Sequence, residues 1–173
     1  MKLLRTTIHP DITDLETMRL VERPAARAIA LDGQDILLMY TARYDDYSIP
    51  GGGLEPNESA QAGMIRELQE ETGAQNIRDI MAFGCYEEYR PWYKDDANVM
   101  HMLSYCFTCR IDRELGDTQF EAYEIKNGME PRWVNIHQAI AHNHRTMAES
   151  DKKGLSIERE TFLLERIVDQ LLG

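Results

Sequence analysis

The 173-residue chain is poor in cysteine, with only Cys85, Cys106 and Cys109. An odd, small number cannot build the disulfide framework of a secreted mini-domain and points to a reducing, cytoplasmic setting. Long apolar runs are missing too. No stretch approaches the roughly 18 residues of a membrane span, and the Leu3-Leu4 pair between Lys2 and Arg5 is too short for a signal-peptide core. Positive charge is scarce as well: 19 Lys and Arg stand against 30 Asp and Glu, a formal net charge of −11. The summed field repels phosphate backbones and anionic headgroups, so neither a nucleic-acid nor a membrane partner is expected. The same surplus suits a protein that collects divalent cations, which in turn can hold a phosphate that the chain alone would repel.

What is present is a globular composition, 43% hydrophobic and 28% charged, of a length that predicts one domain over residues 1–173 with its core at about 25–140. Two apolar runs flank Asp32-Gly33, a hairpin signal. Three glycines, Gly51, Gly52 and Gly53, follow Pro50 and predict a specialised loop at a strand end. A helix is predicted over 57–72, capped by Asn57 or Ser59 and closed by Gly73. Strands follow at 77–89, 100–111 and 131–136, and a helix at 137–147. The last helix, over 156–172, places Phe162, Leu163, Ile167, Val168, Leu171 and Leu172 on one stripe. Strands interleaved with helices make the class α/β with a mixed sheet. The first 24 residues read as an extension, an extra strand that covers the sheet or contacts a second subunit in a homodimer.

On a wheel of the 57–72 helix, Glu67, Glu70 and Glu71 share an arc of about 100°, while Ala62, Ile65 and Leu68 face the other way, toward a core. Like charges at this spacing oppose helix formation and ask for a cation. Hard oxygen ligands converging from one face are what Mg²⁺ prefers. An arbitrary Glu-x-x-Glu-Glu is ordinarily a solvated face, but here the surroundings are specific. Gly52 is followed by five residues and Glu58, then by seven residues and Arg66-Glu67-Leu68-Gln69-Glu70-Glu71-Thr72-Gly73-Ala74. This resembles the signature of the Nudix hydrolases at every fixed polar and glycine position, with Ala74 where a bulkier aliphatic residue is usual.

The resemblance implies a Nudix-fold α/β/α sandwich and a Mg²⁺-dependent pyrophosphohydrolase, Mn²⁺ being a substitute metal. Its small-molecule substrate would be a nucleoside diphosphate derivative such as ADP-ribose, a nucleotide sugar or a dinucleoside polyphosphate. Sanitising hydrolysis of oxidised nucleoside triphosphates, or a non-catalytic metabolite sensor, are the alternatives. By carry-over Glu67, Glu70 and Glu71 are metal ligands, with the Gly51 carbonyl beside them. Arg66 orients Glu67, Glu58 fixes the loop or helix, and Gly52 and Gly53 border the substrate. The base that takes the proton from water is Glu67, or a carboxylate outside the box, for which Glu121, Glu124 and Glu130 are candidates.

Weaker signals surround this centre. The stretch 86–93 is the most aromatic in the chain; Tyr89 or Trp92 could stack on a base while Arg90 meets phosphate, or the stretch could be a packed hairpin tip. Cys106-x-x-Cys109 spans opposite faces of a strand and reads as structural. His137, His142 and His144 sit in a polar stretch without matched carboxylates at metal-ligand spacing and read as solvated or capping.

Overall fold

The computed structural model describes residues 1–94 and 96–173. The expected hairpin is formed by β3 (Ala25–Asp32) and β4 (Asp35–Thr41). Asp32 pairs with Asp35, and Gly33 takes a left-handed φ of 62° in the turn. Beyond Leu31 and Ile36 the two strands part. The same edge of β3 is taken up lower down by β6 (Gly51–Gly53), which runs antiparallel to Ala25–Arg27. The glycine stretch is therefore a short marginal strand, not a free loop.

The rest of the sheet is built on a long hairpin, β7 (Arg78–Pro91) with β8 (Val99–Arg110). Along its free edge β8 carries first β2 (Leu20–Glu22) and then β3, both parallel to it. The outer edge of β7 receives β1 (Leu3–Ile8), also parallel. On the far side β4 is flanked by β5 (Asp46–Ser48) and β9 (Met129–Asn135). The extension of 24 residues thus supplies two strands, where one was expected.

Side-chain alternation along β3 and β4 divides the core in two. Ala26, Ala28, Ala30 and Leu37 face α1 (Ala60–Thr72), meeting Met64 and Leu68. Ile29, Ile36 and Leu38 face α3 (Ile136–Glu149) and α4 (Ile157–Ile167), meeting Ile136, Ala139, Leu163, Leu164 and Ile167. Helices on both faces of a mixed sheet make the α/β/α sandwich. A short helix, α2 (Ala122–Asn127), precedes β9 and had no counterpart in the sequence reading. No helix among the described residues is long and apolar enough to cross a membrane.

Several boundaries differ from expectation. Asn57 has a φ of 64° and cannot start a helix, so α1 begins at Ala60, where the Ser59 hydroxyl accepts the Ala62 N–H. Ala62 is exposed and Met64 takes its place in the core. Ile136 opens α3, because the Asn135 side chain caps it. The last helix turns π-helical over Val168–Leu172; Leu164 is buried in its stripe while Leu171 is exposed.

Cys106 and Cys109 lie in the two different core clusters, one on each side of the sheet. Burial pushes their thiols up to about 12 and about 11, which leaves them protonated. His142 bonds to Asp45 and His144 to Glu165, while His137 is exposed.

A polar strap ties the N-terminal strands down. His101 on β8 lies 2.7 Å from Glu22 on β2 and 2.9 Å from Glu87 on β7, with the Tyr89 ring stacked on it at 4.4 Å. The Thr6 hydroxyl of β1 donates to Glu87 at 2.7 Å. Burial pulls the His101 pKa down, but hydrogen bonds to Glu22 and Glu87 outweigh it, leaving it above 6.5. A raised folded-state value means that this contribution is full below the unfolded value of 6.5 and is lost as pH climbs through the folded one. The melting-temperature advantage of wild type over His101→Gln, read by circular dichroism, is therefore expected to shrink as pH rises from about 6 to about 9. An advantage that grows over that window would refute the strap.

Candidate active site

The acidic face of α1 is graded by depth. Its buried stripe runs through Met64, Leu68 and Thr72, and Glu71 adjoins that stripe, so Glu71 is only 4% exposed. The Glu67 side chain is 13% exposed and that of Glu70 38%. Depth decides their ionisation. Burial pushes the Glu71 carboxyl up to about 8, against a 2.7 Å hydrogen bond from the Gly51 N–H, and Glu67 and Glu124 push it further. Glu67 is also raised, by burial first, with Arg66 opposing and Glu70 and Glu124 adding.

Arg66 is the hub of this face. Its Nε and Nη2 donate to the two oxygens of Glu58 at 2.8 and 3.0 Å, and Nη1 donates to Glu67 at 2.9 Å and Glu70 at 3.2 Å. Nη2 also donates to the Gly53 carbonyl at 3.1 Å. One planar fork thus holds the turn, the marginal strand and the helix together. Glu58 sits in the turn before α1, where its carboxylate also accepts the Glu55 N–H. It is held below the usual carboxylate range, chiefly by Arg66.

Two of the three glycines are required, each for a different reason. Gly51 has a φ of 148°, and a Cβ there would lie 2.0 Å from the Ala26 carbonyl. At Gly52 a Cβ would lie 2.7 Å from Glu67 Oε1, so the missing side chain is what lets Glu67 stand over the strand. Gly53 has open space.

Of the carboxylates outside the box, Glu124 is the one brought near. It is 5% exposed on α2, and its charge acts on both Glu67 and Glu71. The Glu121 N–H donates to its Oε2 at 2.7 Å and the Tyr123 hydroxyl to Oε1 at 3.2 Å. Glu121 is the N-cap of α2, and Glu130 on β9 is paired with Arg132. Tyr123 was not anticipated; the charge of Glu71 reaches its hydroxyl.

The aromatic stretch is held by partners of its own. Tyr89 is stacked on His101, Arg90 is paired with Glu88 and Ser156, and the Trp92 indole donates to Asp96 at the tip of the β7–β8 hairpin. Among the described residues none of the three is hydrogen-bonded to α1 or to β6.

Five carboxylates, Glu58, Glu67, Glu70, Glu71 and Glu124, thus share a region with two guanidiniums, Arg66 and Arg27. Two carboxyls raised by burial and by neighbouring carboxylates mark a surplus of negative charge, and the donors are hard oxygens, a set that fits a divalent cation. Among the described residues no three His, Cys, Asp or Glu side chains converge on a single point, because Glu67 and Glu70 are turned onto Arg66.

The fold has solved counterparts. A MutT protein from Bacillus halodurans aligns over 84% of this chain and 82% of its own with a TM-score of 0.54 at 16% identity. A NUDIX hydrolase from Nitrosomonas europaea aligns over 84% and 89% with a TM-score of 0.55 at 17% identity. The NUDIX domain model matches residues 21–156, and the chain belongs to that family. Among curated relatives, a mouse protein named diphosphoinositol polyphosphate phosphohydrolase 3-alpha is 27% identical over 107 residues, 61% of this chain. The match spans 58% of that relative's length.

The glycine geometry is testable by substitution. Gly51→Ala is expected to cost about 2 kcal/mol or more, on the order of 4–8 °C in melting temperature, through backbone strain and the clash with Ala26. Gly53→Ala should melt within about 2 °C of wild type. Gly52→Ala should stay folded yet bind Mn²⁺ about tenfold more weakly, because it displaces Glu67. Three equal melting temperatures with equal Mn²⁺ affinities would refute these assignments.

Proposed function

We propose that this chain is a Mg²⁺-dependent hydrolase, with Mn²⁺ as a substitute, that cleaves the diphosphate linkage of a nucleoside diphosphate derivative in the cytoplasm. One observation carries the reading: three acidic side chains at graded depth on α1, two of them bound through Arg66 and the third directly through the Gly51 N–H to a glycine strand that only glycines can form at its first two positions. Glu67, Glu70, Glu71 and the Gly51 carbonyl would hold the ion. When bound, the cation neutralises phosphate charge and lowers the pKa of the attacking water. It also answers the net charge of −11, which would otherwise repel the substrate.

The protein's own groups then divide the work. Arg66 keeps Glu67 and Glu70 in place. Glu124 takes the proton from the attacking water as the water oxygen bonds to phosphorus and the bridging P–O bond breaks; its two oxygens are already oriented by Glu121 and Tyr123. An open cleft of about 610 Å³ borders Arg66 and Glu70 and is lined by the amides of Gln69, Gln75 and Gln119 without an aromatic ring. Amides suit hydroxyls, so within the substrate class the cleft favours a sugar-linked diphosphate over one bearing a second base.

Turnover against nucleotide sugars, ADP-ribose, dinucleoside polyphosphates and normal and oxidised triphosphates tests this directly. We expect a sugar-linked diphosphate to lead, EDTA to abolish turnover and Mg²⁺ to restore it. Glu71→Gln should lose at least about a hundredfold in kcat while melting no lower than wild type. Glu124→Gln should lose about a hundredfold or more in kcat. Turnover that survives chelation, or an unimpaired Glu71→Gln, would overturn the reading; tight binding without turnover would leave a sensor in its place.

A further inference from the structure

We propose that Glu160, on the C-terminal helix, is a positioning residue for the glycine strand of the hydrolytic site, an inference that rests on the hydrolase reading above. Glu160 is completely buried, on an apolar stripe with Ile157, Leu164 and Ile167. A carboxylate in such a place is costly unless it is paired and hydrogen-bonded. Its Oε2 accepts the Ile49 N–H at 2.8 Å, two residues before Gly51. Its Oε1 accepts from Arg159 at 2.7 and 3.0 Å and lies 4.0 Å from Arg27 Nη1. That same Arg27 nitrogen donates to the Gly51 carbonyl at 3.3 Å. The Gly51 N–H is meanwhile given to Glu71.

The segment 49–51 is therefore gripped from three elements: α4 through Glu160, β3 through Arg27, and α1 through Glu71. Arg159 in turn bonds to Glu88 on β7, which anchors Glu160 from behind. An apolar side chain would fill the same volume on α4 at less cost. What it could not do is receive the Ile49 N–H and hold Arg27 against Gly51. Glu160 thus sets where the Gly51 carbonyl points without itself facing substrate or metal.

The test compares Glu160→Met, Glu160→Gln and Leu163→Ala in the full chain. Leu163 is buried on the same helix, and its truncation lowers stability through packing alone. In Glu160→Met the amides of Ile49 and of residues 51–53 should exchange with deuterium about tenfold faster or more, kcat should fall about tenfold or more, and the Mn²⁺ concentration for half-saturation should rise similarly, with nucleotide KM moving less than about twofold. Glu160→Gln keeps an acceptor for Ile49 and should recover most of each. Leu163→Ala should change none of them. If Glu160→Met matches Leu163→Ala in loop exchange and Mn²⁺ binding, the proposal is wrong. If Glu160→Met does not fold, Arg27→Met must show the same loop exchange and Mn²⁺ response, and its silence overturns the proposal equally. Wild type that neither binds Mn²⁺ nor hydrolyses the panel defeats the hydrolase reading, while loop exchange still decides the positioning.

Discussion

Backbone that leaves regular structure inside a protein must find partners for its N–H and C=O groups, and in this chain that demand falls on the short segment from Ile49 to Gly53. Besides the backbone ladder to β3 and the Ala28 N–H given to the Pro50 carbonyl, its side-chain partners are carboxyls and guanidiniums. Glu160 takes the Ile49 N–H, Glu71 takes the Gly51 N–H, Arg27 binds the Gly51 carbonyl and Arg66 the Gly53 carbonyl. Hydrogen bonds to ionised groups such as Arg27, Arg66 and Glu160 are stronger than those between neutral ones, and α1 and α4, which supply three of the four side chains, lie on opposite faces of the sheet. The segment is consequently the place where the two halves of the sandwich are joined electrostatically.

That arrangement explains why the acidic face is neither a solvated surface nor a fully buried cluster. Glu71 serves structure through Gly51 and is pushed toward neutrality by its depth, whereas Glu70 remains in contact with water. Arg66 neutralises part of the charge on Glu58, Glu67 and Glu70 and leaves an excess that the protein's own cations do not cover. The side chains that hold the glycine strand are thus the same ones that carry the uncovered charge.

Much of this could be read from the sequence, and the exceptions have physical reasons. The Asp32-Gly33 hairpin, the long strands and the acidic helix were legible because each carries a strong local signal: a left-handed turn, sustained β-formers, a fixed spacing of carboxylates. Helix α2 was missed because it is six residues long, although the pair Glu121 and Glu124 at capping-box spacing and Gly128 at its end were there to see. Ala62 lies opposite the carboxylates yet is exposed, because the face that packs runs through Met64, Leu68 and Thr72, to one side of the acidic arc and not diametrically across from it. Glu124 could not be separated from Glu121 and Glu130 without knowing which of them the fold turns inward. Arg27 and Glu160 belong to no motif; the available hint was a carboxylate in the middle of an otherwise apolar stripe, and its partner lay more than a hundred positions away.

The run of small residues Ala26, Ala28 and Ala30 on the face of β3 beneath α1 acts as a spacer. Interiors are close-packed, so the thickness of this layer fixes how near the helix axis lies to the sheet. The carboxylates ride on that helix, while Gly51 and Gly52 are paired to β3 itself. The distance between the two halves of the site is therefore gauged by methyl groups that take no part in its chemistry. A core substitution at these alanines would alter the reach of Glu67 and Glu71 as directly as an exchange of the acids themselves, so the packing layer and the chemical centre are constrained to vary together.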